Sequence, residues 1–326
     1  MHCALIGLGA NLGDREQTLD AARARLDESA GRVMSCSRWY ETEPVGGPGG
    51  QQPFLNGAVT LETSLSPAEL LAVLKDSEKQ LGRRPAERWA ARAVDLDLLL
   101  YDELVLETRE LTVPHPRMAY RRFVLEPAAE IAPDMRHPLI GWTVCQLFQH
   151  LQQAAPYLAI GGLPGVGKTR LARRLVERGG GRLLLDSAPC EPELEAIARR
   201  AALLACHGSA RGVCTIWPRD LWTISDFWFD QSLAWAAAQT DESQRAAIEA
   251  ACRLERRVTM PPKLVAVLEP GSTADAAGSI DAEMAERYRR AMGELVRRPD
   301  QPVIRLSADK PDEAEVELLA AMRAMR

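Results

Sequence analysis

The sequence has no apolar run that approaches the roughly 20 residues a membrane-spanning helix requires. Its amino terminus, MHCALIGLGANLGD, lacks the basic segment that precedes the apolar run of a signal peptide. The seven cysteines form no C-x-x-C pair and no spacing typical of metal ligands. Such an odd, scattered set is typical of reduced thiols. We therefore predict a cytoplasmic protein and exclude secreted, membrane and zinc-finger proteins.

The sequence also has no excess of basic residues. Residues 1–156 contain 16 Lys and Arg against 21 Asp and Glu, and residues 157–326 contain 24 of each. Proteins that bind nucleic acid as their main partner carry a basic excess. The predicted partners are therefore small molecules, with no nucleic acid and no membrane among them.

The apolar pattern changes near Pro156, which suits a chain of 326 residues with two domains. Before it, the order strand–helix–strand–strand–helix–strand predicts an α+β sandwich with an antiparallel or mixed sheet, close to the ferredoxin-like pattern. One of these strands is expected over SRWYETEPV. After it, the strands YLAIGG, GRLLLD, VCTI, KLVAVLEP and PVIRLSA alternate with helices, which predicts an α/β domain with a parallel sheet. We place the domains at residues 1–155 and 156–326.

Two aspartates mark possible chemistry in the first domain. Asp95 and Asp97 lie two residues apart on the predicted strand VDLDLLLYD, so their side chains point to the same face. A solvent-facing strand edge explains such a pair as well as a magnesium site does. The preceding segment RRPAERWAAR contains four arginines, which are Arg83, Arg84, Arg88 and Arg92. Carboxylates that hold Mg²⁺ and arginines that neutralise phosphate oxygens together favour a site for a metal–polyphosphate complex.

Residues 1 to about 150 resemble the 6-hydroxymethyl-7,8-dihydropterin pyrophosphokinases of folate biosynthesis. The matching segments are GLGANLGDR, YETEPVGG, FLNGAV, GRRPAERWAARAVDLDLLLYD and VPHPRMAYRRFVLEPAAEIAPD, in family order and at family spacing. The resemblance implies transfer of pyrophosphate from ATP to the pterin, with AMP and the pterin diphosphate as products. It also implies two Mg²⁺ ions, with ATP as a substrate.

The resemblance further implies a role for each matched residue. Asp95 and Asp97 are expected to bind the magnesium ions, and the arginines implied in catalysis are Arg84 and Arg92. The other expected ATP contacts are Glu78, Trp89, His115 and Arg121. The expected pterin-binding residues are Thr42, Val45, Phe54, Asn56 and Phe123, with the two phenylalanines on opposite faces of the ring. Arg83 and Arg122 are expected as supporting charges only. Glu110 stands where some members of the family carry an arginine near the ATP. The loops Gly46–Gly50 and Arg83–Trp89 are expected to close over the substrates as lids.

The second domain begins with a phosphate-binding motif. Its sequence GLPGVGKT, with Gly162, Gly165, Gly167, Lys168 and Thr169, matches G-x-x-x-x-G-K-[ST] between an apolar strand and a helix. In such a loop the backbone N–H groups bind phosphates, the lysine reaches the β- and γ-phosphates, and the hydroxyl binds magnesium. The alternative is a plain glycine turn. The motif predicts binding of a nucleoside triphosphate.

The segment TISDFWFDQSLAWAAAQ resembles deoxynucleoside kinases. This resemblance implies Asp186 as the base and Asp226 as a second acidic residue near magnesium. Two departures are that Phe227 stands where the family has an arginine, and that the expected lid, LEPGSTADAAGSID, is nearly without basic residues. The nearest replacements are Arg287, Arg289 and Arg290. We expect this domain to bind a nucleoside triphosphate and to phosphorylate deoxynucleosides slowly or not at all. The tryptophans 217, 222, 228 and 235 suit core packing or base stacking.

A different class of function is a P-loop regulatory protein with a degenerate pterin module. The retained aspartates, arginines and aromatic pair of the first domain argue against it.

Overall fold

The computed structural model describes residues 1–84, 90–186, 193–205, 217–270, 282–297 and 299–326. The chain divides into two compact units. The first unit consists of Met1–Gln152 and Ala320–Arg326, and the second unit of Gln153–Leu319. Among the described residues, no helix is both long enough and apolar enough to cross a membrane.

The first unit contains an antiparallel sheet. Its elements are β1 (His2–Ala10), α1 (Arg15–Ser29), β2 (Arg32–Cys36), β3 (Tyr40–Thr42), β4 (Phe54–Thr63), α2 (Pro67–Gln80), β5 (Asp95–Tyr101), β6 (Leu106–Glu107), β7 (Thr112–Val113), α3 (Arg122–Ile131) and α4 (Val144–Gln153). The strand order is β2-β4-β1-β5, β3 pairs with β4, and every pairing is antiparallel. The sheet, predicted as antiparallel or mixed, is therefore antiparallel.

The residue alternation of β1 decides which face of this sheet is the core. Ile6 and Leu8 are buried in one apolar cluster with Leu19 of α1 and Leu70 of α2. Gly7 and Gly9 point to the opposite face, because successive strand residues alternate. Both helices begin at clear caps: Asp14 accepts a hydrogen bond from the Gln17 N–H, and Ser66 forms a capping box with Glu69. The apolar cluster therefore covers one face of the sheet, and Gly7 and Gly9 lie on the other.

Two elements of the first unit differ from the sequence prediction. The strand expected over SRWYETEPV is limited to β3, and an additional strand, β2, lies before it. The side chains of β2 are mostly exposed, so the segment has no alternating apolar signal. The sequence also gives no prediction of α3, which contains Pro127 inside the helix. Proline disfavours helix interiors and hides such a helix from pattern analysis.

The second unit contains a parallel sheet of five strands, as predicted. Its elements are β8 (Tyr157–Gly162), α5 (Lys168–Gly179), β9 (Arg182–Leu184), α6 (Glu193–Leu204), β10 (Thr223–Ser225), α7 (Gln231–Ala238), α8 (Glu242–Glu255), β11 (Leu264–Glu269), α9 (Ala282–Arg297) and β12 (Val303–Ser307). The last helix, α10 (Pro311–Ala324), begins in the second unit, and its residues from Ala320 onward are assigned to the first. The strand order is β12-β11-β8-β10-β9. All four pairings are parallel.

The central strand of this sheet is β8, and the chain continues to both sides of it. Ligands of open α/β sheets bind at such a point, beyond the carboxyl ends of the strands. The neighbour of β8 on one side is β10, a strand of three buried residues that the sequence does not predict because it is so short. The strand expected at VCTI, residues 213–216, lies outside the described residues.

Candidate functional site

The two aspartates of β5 lie beside a strip of sheet surface that has no side chains. The strand register places Gly9 between Asp95 on one side and Asn56 on the other, and it places Gly7 opposite Asp97. A Cβ atom on Gly9 would lie 3.1 Å from the Asn56 Oδ1 atom. The two glycines therefore bring the Asp95 carboxylate and the Asn56 amide to either side of a backbone segment that has no side chains of its own. The sequence analysis did not use the glycines at i and i+2 of β1, which were the available signal for this arrangement.

Two arginines hold the Asp95 carboxylate. Arg83 Nη1 donates to Oδ1 at 2.8 Å, and Arg92 Nη1 donates to Oδ2 at 2.9 Å. Burial, and next the nearby charge of Asp97, raise the pKa of Asp95 above its ordinary value, and the two arginines oppose this. Arg83 thus has a direct contact where only a supporting charge was predicted, whereas Arg84 is exposed.

Glu78 lies behind this carboxylate pair rather than in the open strip. Its Oε1 atom accepts the backbone N–H of Leu96 at 2.8 Å and also pairs with the Arg83 guanidinium. Burial raises the pKa of Glu78 to about 6. Glu78 therefore links the end of α2 to β5 and fixes Arg83. The predicted neighbour Trp89, together with Arg88, lies outside the described residues.

Asn11 is a buried residue that the sequence analysis did not assign to the site. Its Oδ1 atom accepts the Arg92 N–H at 2.7 Å, and its own N–H donates to the Arg92 carbonyl at 3.1 Å. Its Nδ2 atom donates to Gln51 Oε1 at 3.2 Å. Arg15 adds a hydrogen bond to the Pro53 carbonyl at 2.7 Å. The carboxyl-terminal end of the glycine-rich loop and the backbone of Arg92 are therefore fixed together.

The predicted pterin residues gather around the start of β4. Asn56 Nδ2 donates to Thr42 Oγ1 at 2.8 Å, which fixes the orientation of the amide. Thr42 pairs with Phe54 across β3 and β4, and Val45 lies half-buried in the following loop. Phe123 is in the first turn of α3, a helix that packs against β4. The structure thus brings β3, β4 and the start of α3 together, while the roles of these residues stay predictions.

His115 lies next to β5 and is held as a neutral imidazole. Its backbone N–H donates to the Leu99 carbonyl at 2.9 Å, and its Nδ1 atom accepts the Arg117 N–H at 3.2 Å. Burial, and next the charges of Arg121 and Arg117, lower the pKa of His115 to about 3. Because Nδ1 accepts a hydrogen bond, the proton is on Nε2, which can donate to an anionic ligand.

Three further predicted positions complete the first unit. The Arg121 guanidinium lies 5.5 Å from the ring centre of Phe123, within the range of a cation–π contact. Arg122 pairs with Glu126 one helical turn away, at 3.1 Å. Glu110, the departure from the family pattern, is exposed beyond β6. Arg121 is therefore the one of these three that contacts another predicted site residue.

The glycine-rich motif forms a tight loop between β8 and α5. Gly162, Gly165 and Gly167 have φ values of 137°, 80° and 94°, a region that favours glycine. A Cβ atom on Gly162 would also lie 2.6 Å from the Leu268 carbonyl oxygen. Lys168 Nζ donates to the Gly162 and Leu163 carbonyls at 3.0 and 2.8 Å. Burial lowers the pKa of Lys168 to about 8, and the charge of Asp226 opposes this.

Thr169 and the two predicted acidic residues of the second unit are connected by hydrogen bonds. Thr169 Oγ1 donates to Asp226 Oδ2 at 2.5 Å, and Asp226 Oδ1 accepts the Asp186 N–H at 2.7 Å. Asp226 directly follows β10, the neighbour of β8. P-loop nucleotide-hydrolysing enzymes hold magnesium with this combination of a loop hydroxyl and an aspartate. The geometry suits a magnesium–nucleotide complex.

Two arginines that the sequence analysis missed contact Asp186. Both lie on α6: Arg199 pairs with Asp186 Oδ1, and Arg200 Nε donates to Oδ2 at 2.8 Å. The predicted replacements are engaged on their own helix, α9, where they pair with glutamates; these arginines are Arg287, Arg289 and Arg290. Three of the four tryptophans, at positions 217, 222 and 228, are buried, which favours core packing over base stacking.

The first part of the chain matches known proteins in sequence. A family model described as 7,8-dihydro-6-hydroxymethylpterin-pyrophosphokinase matches residues 5–133. The chain is 45% identical over 167 residues to the 2-amino-4-hydroxy-6-hydroxymethyldihydropteridine pyrophosphokinase of Synechocystis sp., which covers 49% of this chain and 85% of the relative. It is 50% identical over 135 residues to the protein of the same name from Bacillus subtilis, which covers 41% of this chain and 80% of the relative.

Among solved structures, the chain is similar to a deoxyadenosine kinase from M. mycoides, at 12% identity and a TM-score of 0.37, over 50% of this chain and 95% of the other. A TM-score this low does not establish a shared fold. The sequence relatives are decisive, because most of each relative's length is covered at high identity. The chain belongs to the 6-hydroxymethyl-7,8-dihydropterin pyrophosphokinase family.

Proposed function

We propose that the first unit transfers pyrophosphate from ATP to 6-hydroxymethyl-7,8-dihydropterin and releases AMP. Membership of the family supports this proposal, and so do its relatives' names. The observation that carries it is the strip at Gly7 and Gly9, with two carboxylates on one side and Asn56 on the other. The two carboxylates suit the cations of a polyphosphate, and the Asn56 amide suits the edge of a flat heterocycle.

The donor set beside the strip fits magnesium. Asp95 and Asp97 offer carboxylate oxygens from one face of β5, and Mg²⁺ is usually bound by one or two carboxylates with substrate phosphates and water. The charge of Asp97 raises the pKa of the already buried Asp95, a repulsion that a divalent cation relieves. When bound, magnesium would supply charge neutralisation on the phosphate oxygens. Within the described ranges, no group of three or more acidic, His or Cys side chains forms a metal site.

The side chains of the first unit then have separate tasks. Asn56, oriented by Thr42, forms hydrogen bonds with the edge of the pterin ring. Arg92 and the Nε2–H of His115 donate to phosphate oxygens, and Asn11 holds the backbone of Arg92 in place. The pterin hydroxymethyl oxygen forms a bond to the β-phosphorus and releases its proton to solvent. The bond from that phosphorus to the α–β bridging oxygen breaks, and this oxygen leaves with its electron pair as part of AMP. Positioning and charge neutralisation carry such a transfer.

The test is to incubate the full chain with ATP, Mg²⁺ and the hydroxymethyl pterin and to identify the nucleotide product. We expect AMP together with the pterin diphosphate. A Lys168→Ala variant is the matched control, because it keeps the first unit intact while changing the P-loop. ADP in place of AMP, formed only when pterin is present, would contradict pyrophosphate transfer.

For the second unit, we propose binding of a magnesium–nucleoside triphosphate and slow phosphorylation of deoxynucleosides. The hydrogen bond from Thr169 to Asp226 beside the P-loop supports the binding, and Asp186 next to Asp226 supports a phosphoryl acceptor site. The test is ADP formation by the full chain without pterin, with each of the four deoxynucleosides in turn. Nucleotide binding without any such turnover would favour the alternative, a nucleotide-binding regulatory unit.

A further inference from the structure

The last turn of α3 is tied to β3, and to the chain just before it, through a single carboxylate. The Tyr40 hydroxyl donates to Glu130 Oε2 at 2.7 Å. The backbone N–H of Arg38 donates to the same oxygen at 3.3 Å, and Arg38 Nε lies 3.4 Å from Oε1. The Tyr40 hydroxyl also accepts from Arg38 Nη2 at 3.1 Å. The hydrogen bond from Tyr40, above all, lowers the pKa of Glu130 below its usual value, so this carboxylate is charged at neutral pH.

Tyr40 lies on the face of the sheet that carries the predicted pterin residues. In the pairing of β3 with β4 it directly opposes Asn56, and Thr42 directly opposes Phe54. Directly opposed residues of an antiparallel pair point to the same face, and so do residues two apart on one strand. The hydrogen bond from Asn56 to Thr42 agrees with this placement. All four side chains therefore belong to one face, and Glu130 contacts that face from α3.

On α3, Glu130 shares a side of the helix with Phe123. The two residues are seven positions apart, which is two helical turns and ~10 Å along the axis. Leu125 and Ala128 are buried in this helix, which packs against β4. Apolar burial is non-directional and tolerates small rotations of a helix. A hydrogen bond depends on distance and angle, so the contact of Glu130 with Tyr40 restricts the rotation that apolar packing leaves open.

We propose that Tyr40 and Glu130 are positioning residues for pterin binding, because their hydrogen bond sets the rotation of α3 that places Phe123 against the pterin ring. This role rests on the pyrophosphokinase function proposed above, and it belongs to two residues outside the predicted substrate contacts. Without the bond, α3 also adopts rotations in which Phe123 does not meet the ring. The apparent affinity for pterin then falls with the fraction of molecules that stay competent to bind it.

The binding of ATP depends on this hydrogen bond far less. Asp95 lies on β5, Arg92 precedes that strand, and His115 is held by the backbone of Leu99. Of the predicted ATP contacts in the described residues, Arg121 alone adjoins α3. A change at Tyr40 or Glu130 should therefore separate the KM for pterin from the KM for ATP.

The first experiment is a double-mutant cycle on the full chain, with kcat and both KM values measured from AMP formation. Tyr40→Phe removes only the hydroxyl, and Glu130→Ala removes the acceptor. Each should raise the KM for pterin about fivefold, while kcat and the KM for ATP stay within about twofold. The double variant should be no worse than the worse single variant, because both changes break one interaction. Glu130→Gln keeps an acceptor oxygen and should recover most of the affinity.

The matched control is Glu126→Ala. Glu126 lies one turn earlier on the same helix, and its side chain is 30% exposed against 31% for Glu130, but it pairs with Arg122 of its own helix. This change should alter each constant less than about twofold. Additive losses in the cycle, equal losses in Glu126→Ala and Glu130→Ala, or a KM for ATP that rises as much as the KM for pterin would overturn the proposal.

The second experiment follows α3 itself and needs no turnover. Hydrogen–deuterium exchange of peptides from residues 122–131, in protein without ligands, should be about threefold faster in Tyr40→Phe than in the wild type and unchanged in Glu126→Ala. Equal exchange in all three proteins contradicts the hydrogen bond as the restraint on α3. Wild-type protein that forms no AMP contradicts the pyrophosphokinase function and with it the role in pterin binding, while the exchange rates still show whether Tyr40 and Glu130 hold the helix.

Discussion

The two units place their carboxylates in different ways. Asp95 and Asp97 are two residues apart on one antiparallel strand, beside Gly9 and Gly7 of β1. Asp186 and Asp226 are far apart in the chain and meet beyond the carboxyl ends of two parallel strands. A sheet with helices on both faces leaves its strand ends accessible, whereas an antiparallel sheet can leave one face open. The carboxylates are therefore close in sequence in the first unit and dispersed in the second.

The arginines follow the same difference. Arg92 is three residues from Asp95, and its backbone is fixed by Asn11 at the end of a neighbouring strand. Arg199 and Arg200 reach Asp186 from the helix that follows it. In the first unit a guanidinium is found by inspecting the neighbouring sequence. In the second unit, the orientation of α6 determines which guanidinium groups contact Asp186.

The largest expected effect tests whether the two sites work separately. Asp97→Ala should lower AMP formation about 1,000-fold, ~4 kcal/mol of barrier, because charge on the transferring group is neutralised through this carboxylate. Pterin binding, measured by calorimetry, should change far less. Asp76→Ala, on the exposed side of α2, is the control. If Asp97→Ala keeps more than about a tenth of the activity, ~1.4 kcal/mol, the carboxylate pair does not hold the metals.

The reciprocal change is made in the P-loop. Lys168→Ala should weaken nucleotide protection of residues 162–179 in hydrogen exchange about 100-fold, since charged hydrogen bonds to phosphate are lost. AMP formation with pterin should stay at the wild-type rate. Arg173→Ala, exposed on α5, is the control. An unchanged affinity in Lys168→Ala would mean that the loop is a plain glycine turn.

A third prediction concerns the pH dependence of the first unit. Burial lowers the pKa of His137 to about 4, against about 6.5 for an unfolded histidine. The unfolded state therefore binds more protons between these values, so this contribution to stability is complete above pH 6.5 and is lost as the pH falls toward 4. At pH 5 the loss should be about 2 kcal/mol relative to pH 7.

The measurement is urea unfolding at both pH values, followed by pulsed hydrogen exchange of peptides from residues 122–153. His137→Asn serves as the reference that cannot titrate, and it should lose less stability between pH 7 and pH 5 than the wild type. The raised pKa of Glu78, about 6, acts in the opposite direction but is present in both proteins. Parallel losses in the two proteins would show that His137 does not contribute.

The smallest expected effect tests whether the absence of a side chain at Gly9 matters for pterin binding. Gly9→Ala places a methyl group 3.1 Å from Asn56 Oδ1, so the KM for pterin should rise about tenfold, ~1.4 kcal/mol, within the usual cost of overpacking. Gly7→Ala is the matched control, since its methyl group would meet the flexible end of Leu99 at 3.3 Å. A KM that rises equally in both variants would indicate general distortion of β1 rather than obstruction next to Asn56.

The sequence was most informative where structure is local. The i, i+2 spacing of Asp95 and Asp97 and the contiguous P-loop each depend on the geometry of a few neighbouring residues, and each is present. The family resemblance, carried by contiguous segments, is confirmed by sequence relatives. Prediction failed at β2, where exposed side chains give no pattern, and at β10, where three buried residues are too few to give one.

The sequence by itself determined the family, the parallel sheet of the second unit, and the motifs in which neighbouring residues already share a face or a loop, and it left the sheet of the first unit antiparallel or mixed. Only the tertiary structure decided that Gly9 lies between Asp95 and Asn56, that Asn11 holds Arg92, that Thr169 reaches Asp226, and that Arg199 and Arg200 meet at Asp186. The physical reason is the same in all four cases. Each contact joins separate elements, and strand register and helix packing, which are cooperative properties of the whole core, determine which side chains meet.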